Sequence, residues 1–60
     1  MFGIYIWKEN SNGTTTSIDK VVTDKPELVE AYERFFENVL SNYDCYHMNI
    51  ISEGETLYHC

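Results

Sequence analysis

Cys45, His47, His59 and Cys60 are of the types that hold zinc or exchange a disulfide, and a turn near Gly54 would bring His47 close to the last pair. Their spacing opposes a metal. Cys45-x-His47 lacks the usual two-to-four-residue gap between ligands, and His59 and Cys60 are strand neighbours that point to opposite faces. No metal and no cofactor are expected. Register would place Cys60 nearer His47 than Cys45, so two free thiols are the default, with a Cys45–Cys60 disulfide as the alternative. Catalysis needs a nucleophile beside a base, or two acid/base groups in contrasting environments inside a water-excluding cleft. Neither arrangement is visible in the sequence, and an enzyme is not expected.

The remaining chemistry is that of charge. Ten Asp and Glu stand against four Lys and Arg in 60 residues, a formal net charge of −6. Direct binding to nucleic acid calls for cations to neutralise phosphates, so nucleic acid is excluded as the direct ligand. A basic protein surface, such as one that itself binds nucleic acid, would be steered toward this chain. Solubility alone is the bland alternative. Glu27, Glu30, Glu33 and Glu37 concentrate this charge, because at 100° per residue they share one side of a helix. Arg34 relieves them only through an i,i+4 pair with Glu30, while Glu33 and Glu37 repel. Such a row is either the solvated side of a surface helix or a binding side, and its one-sign character weighs against the first.

That helix is signalled over Pro26 to Tyr43. Asp24 as N-cap, Pro26 in the first turn and Glu27 three residues after Asp24 form a capping-box arrangement. Leu28, Tyr32, Phe35, Phe36, Val39 and Tyr43 recur at three- and four-residue spacing and predict one core-facing stripe, with Val29 and Leu40 at its edge. Asn42 and Asp44 are natural stops. Upstream, Phe2 to Lys8 predicts a strand with Phe2, Ile4 and Ile6 on one side and Tyr5 and Trp7 on the other. Glu9 to Gly13 is a turn, and Thr14 to Thr23 a β-branched second strand. Downstream, Cys45 to Ser52 has strand character, Glu53-Gly54-Glu55 is a turn, and Thr56 to Cys60 is an optional last strand.

The expected fold is therefore a single α+β domain over residues 1–60, a small antiparallel β-sheet of order β-β-α-β with an optional fourth short strand, and one amphipathic helix packed on one face. One helix covers one face only, which leaves Tyr5 and Trp7 as a candidate dimer interface or, second, as a partner groove. A domain this small has a thin stability margin, which favours self-association. No apolar run is long enough for a bilayer, and the opening residues lack a signal peptide's basic region and cleavage site, so a cytoplasmic location is expected, with no membrane partner.

An acidic minimal chain with an Asn12-Gly13 hairpin, an acid-lined helix and spare aromatics resembles the phage-encoded inhibitors that mimic DNA, most nearly the small dimeric uracil-DNA glycosylase inhibitors. The likeness is one of size, charge and pattern, over Phe2 to about Ile51. It implies competitive inhibition inside the host cell's cytoplasm: carboxylates take the places of phosphates, and an apolar pocket captures the residue that the glycosylase inserts into the duplex. The matching parts would be Glu27, Glu30, Glu33 and Glu37 for the phosphates and Val29, Phe36 and Leu40, within one copy or across a dimer, for the pocket. Anti-CRISPR proteins are similar in style, which keeps a DNA-reading nuclease open as the target. A small adaptor or assembly protein that imitates nothing is the structural alternative.

Overall fold

Alternation within Phe2–Glu9 decides the layering. In the computed structural model, which describes Met1 to Cys60, this stretch is strand β1, and it lies between β2 (Thr15–Thr23) and β3 (Tyr46–Ser52), with β4 (Glu55–His59) outside β3. All pairs are antiparallel, in the order β2-β1-β3-β4. The optional last strand thus exists, and the sheet has four strands. Helix α1 (Pro26–Asn38) connects β2 to β3 and packs on one face.

Register places Ile4 opposite Ile50 and Ile6 opposite Met48, and all four point at α1. With Val29 and Phe36 they make the core, walled by Phe2, Val21, Tyr32, Leu40, Tyr46 and Tyr58. Six buried apolar side chains are few even for this length, so each one matters to stability.

Both hairpins are set by local chemistry. Asn10 donates from Nδ2 to the hydroxyls of Thr14 (3.1 Å) and Thr16 (2.9 Å), while Asn12 Oδ1 accepts from the Thr14 amide at 3.1 Å. The second turn has Glu53 at φ 52° and Gly54 at φ 79°, the pair of left-handed residues that a two-residue hairpin loop with matching twist requires. The first hairpin also carries an irregularity: its register slips between Ile6 and Trp7, leaving Ile18 as an extra residue in β2.

The helix differs from the sequence expectation in three respects. Its N-cap is Lys25 and not Asp24, and no side chain caps it. Pro26 is the cause, because the residue before a proline is driven extended, and Lys25 sits at φ −101°, ψ 110°. The α-helical stretch also stops at Asn38, followed by a 3-10 turn at Leu40–Asn42. There Ser41 Oγ donates to the Glu37 carbonyl and Asn42 Nδ2 to those of Asn38 and Val39, satisfying acceptors that the ending helix leaves open.

Third, the stripe is rotated. Val29 and Phe36 face the sheet with Tyr32 and Leu40 beside them, whereas Leu28, Phe35, Val39 and Tyr43 are exposed. Apolar residues from Ala31 round to Leu40 span about half the helix circumference, more than one flat sheet can cover. Two side contacts select the buried part. Tyr32 Oη donates to Asp19 Oδ2 of β2 at 3.2 Å, and the Phe36 ring meets Tyr58 of β4 edge-on at 6.5 Å.

This orientation makes a direct prediction. Phe36→Ala should cost about 3–5 kcal/mol, and Phe35→Ala under about 1 kcal/mol, measured by urea unfolding. Equal losses would put the helix the other way round.

Candidate functional site

Seating Val29 and Phe36 on the sheet turns two different flanks of α1 outward. One carries Glu27, Glu30, Glu33 and Glu37, with Glu33 half-buried and the others exposed. Arg34 reaches Glu30 at 2.9 Å, and no other Lys or Arg makes an ion pair on the helix. Both partners of that pair are about two-thirds exposed, so its worth is small, and Glu27, Glu33 and Glu37 keep uncompensated charge. This flank leans over β4, where Glu33 and Glu37 act on Tyr58.

The opposite flank is apolar. Leu28, Ala31, Phe35 and Val39 recur at i, i+3, i+7 and i+11, and Leu28, Phe35 and Val39 are 39%, 49% and 44% exposed. Ala31, Tyr32 and Phe35 line an open hollow of about 210 Å³. The largest depression, about 560 Å³, lies elsewhere and is polar, between Lys8, Glu9, Asn10, Ser11, Asp44 and Cys45. It has neither the apolar lining nor the enclosure of a substrate pocket.

The pocket residues named from the sequence need correction. Val29 is 9% exposed and Phe36 fully buried, and Leu40 is half-buried against the same core. Their surfaces are spent on the sheet, so they cannot receive a partner's side chain without opening the fold. The open apolar hollow is lined instead by Ala31, Tyr32 and Phe35. Sequence patterning contained the signal, since Leu28, Ala31, Phe35 and Val39 form a second stripe beside Val29 and Phe36.

Tyr5 and Trp7 lie on the sheet face away from the helix, and both are half-buried within the chain itself. Tyr5 folds over Gly3, where a Cβ would stand 2.8 Å from the phenol oxygen, so a side chain at this position would push the Tyr5 ring aside. Lys20 Nζ sits 5.8 Å from the Tyr5 ring centre. Trp7 stacks on His47, with ring centres 5.6 Å apart and 25° between planes.

The Cys and His quartet is dispersed. Cys45 and Cys60 are separate thiols, and no three His, Cys, Asp or Glu side chains converge in a way that could hold a metal ion. His59 Nδ1 is bonded to Asn49 Oδ1, and His47 to Glu9 and to the Cys60 main chain. No helix is long and apolar enough to cross a membrane. Compared with known proteins, the chain matches no family, no curated protein and no solved structure.

Two phenols depart from ordinary behaviour. Burial pushes Tyr32 up, and the hydrogen bond and negative charge of Asp19 push the same way. Burial also raises Tyr58, reinforced by Cys60, Glu37 and Glu33. The folded chain therefore holds both protons more tightly than the unfolded chain. Their contribution to stability is complete below about pH 10 and is lost as pH rises through the raised folded values. An alkaline absorbance titration should resolve two late phenols among the five, and Tyr32→Phe should remove one of them. Five phenols titrating together would contradict the packing of both side chains.

Proposed function

We propose that this chain is an acidic, non-catalytic protein inhibitor that occupies the basic DNA-binding cleft of a DNA-processing enzyme in the cytoplasm, with uracil-DNA glycosylase as the first target. One observation carries the reading: α1 presents a net-acidic flank, relieved only by Arg34 at Glu30, and an apolar flank side by side on the same exposed helix. Carboxylates at Glu27, Glu30 and Glu37 suit a groove built to hold phosphates, and they act mostly on encounter rate, where steering is worth about 10- to 1,000-fold. Phe35 and the hollow beside it supply what charge cannot, an apolar anchorage that survives salt and slows release. In the glycosylase version, the hollow of Ala31, Tyr32 and Phe35 receives the apolar side chain that the enzyme otherwise inserts into the duplex.

Dimerisation through Tyr5 and Trp7 is compatible with this use. Those residues are on the face opposite α1, so two copies joined there would leave both helices facing outward. Each copy could then engage one target.

A glycosylase assay on uracil-containing DNA tests the proposal, with inhibition expected at near-stoichiometric protein. Joint replacement of Glu30, Glu33 and Glu37 by Gln should slow association about tenfold or more at low salt and flatten its salt dependence. Phe35→Ala should speed dissociation about tenfold while leaving the fold intact. No inhibition at large excess eliminates the glycosylase. Binding to another target that is indifferent to both salt and the Gln variant would favour a non-mimic adaptor.

A further inference from the structure

Each strand turns half of its side chains away from α1, and register shows which residues share that open face. Val22 and Ile51 stand on either side of Gly3, and Lys20 stands beside Tyr5. Tyr5, Trp7 and Ile51 are half-buried there, and Val22 is 61% exposed. The distribution of charge sets this face apart from the rest of the surface. Three carboxylates belong to strands. Asp19 accepts from Tyr32 on the helix side, and Glu55 shares its row with Ser52 and Phe2, which also looks toward the helix. Only Glu9 is left to the open face, at its end and 3.2 Å from His47 Nε2. With Lys20 as the one Lys or Arg on it, this face is formally neutral in a chain of net charge −6.

We propose that the open sheet face is the contact between two copies of this chain, an isologous stack of two four-stranded sheets about 10 Å apart with both helices outward. Tyr5, Trp7, Val22 and Ile51 of one copy meet the same residues of the other. Covering the face costs little in lost hydration, because its polar groups already hold partners: Asn49 is bonded to His59, and His47 to Glu9. Lys20 lies on outer strand β2 with its Nζ 5.8 Å from the centre of the Tyr5 ring, a place from which a long side chain can keep its charge in water at the rim.

A second copy fits this face better than a charged partner does. A cationic protein is drawn to the acid flank of α1, whereas a neutral apolar face is matched by its own likeness. Other ways of pairing are opposed. Contact through the apolar flank of α1 would bring both glutamate rows to one seam. Pairing along the free edge of β2 meets the bulge at Ile18, and the Lys20 amide already donates to Asp19 Oδ1 at 2.9 Å. The size is adequate too. Four strands about 4.8 Å apart, with about seven residues each, cover roughly 450 Å² in projection. Side-chain relief brings the accessible area toward the about 800 Å² that each partner gives to a standard interface. That is about a fifth of the chain's surface of 4196 Å².

Sedimentation equilibrium of the whole chain tests this, with reductant present so that Cys45 and Cys60 stay thiols. Twice the 7.1 kDa chain mass is expected at about 100 μM, falling toward the single mass on dilution. The emission of Trp7, the sole tryptophan, should move to the red over the same range. Val22→Glu alters a side chain that is mostly in water within one copy, so it should leave the fold intact and raise the dimer dissociation constant about 100-fold. Lys20→Glu should raise it about tenfold at low salt, and about 1 M salt should restore most of the loss. Phe35→Ala, on the opposite side of the molecule, should leave the dimer unchanged. A single mass at about 100 μM, a dimer that persists in Val22→Glu, or one that Phe35→Ala breaks would each overturn the proposal. The inhibitor reading is tested separately, since a chain that dimerises without inhibiting the glycosylase, or inhibits it as a monomer, sinks only one of the two.

Discussion

Everything in this small structure depends on one side chain's position, the Phe36 ring between the helix-facing residues of the sheet. The helix adds only Val29 beside it to the buried set, and the core that results holds six buried apolar residues. Phe36 reaches across to Ile4, Ile6, Met48 and Ile50 and meets Tyr58 at the outer strand, so it also helps hold β4 to the rest. Because α1 is short, fixing this ring fixes the roll of the whole helix. The roll in turn determines which residues are left to meet a partner.

A consequence is that the exposed chemistry follows from the packing. An apolar arc wider than a sheet can cover leaves a remnant, and here the remnant is Leu28, Ala31, Phe35 and Val39, separated from the glutamates by the crest of the helix. Exposing such a remnant reduces the apolar burial available to a domain that has little to spare. Acidic repulsion along Glu33 and Glu37 adds a few tenths of a kcal/mol against the same helix. Both features oppose stability, and both are what the proposed contact with a cationic, partly apolar partner would use.

Much of this architecture was legible in the residues. Period-two alternation from Phe2 to Trp7 gave the two sides of β1, and Glu53-Gly54 gave the second turn, because those signals are local and steric. The first three strands followed from the same logic, while the last stayed optional until pairing with β3 showed it to be β4. The helix's roll did not, since periodicity locates an apolar arc but not its buried portion, which Tyr32 to Asp19 and Phe36 to Tyr58 select across 13 and 22 positions of sequence. Capping misled for a related reason: Asp24 and Glu27 have the right spacing, yet Pro26 moves the boundary by one residue. The acid row of Glu27, Glu30, Glu33 and Glu37 was visible throughout, whereas the meeting of His47 with Glu9 is a product of strand register that no linear motif marks.

The extra residue at Ile18 bears on how copies of this chain meet one another. β2 is a long outer strand, nine residues rich in Thr, Ser, Ile and Val, and its free edge is the sort that templates aggregation when it is straight. The bulge bends that edge, and Lys20 places a charge on it. Edge-to-edge growth into open-ended ribbons is thereby discouraged, while contact through broad surfaces remains free. For a chain that leaves Leu28, Phe35 and Val39 exposed, that difference separates a closed, countable assembly from a precipitate.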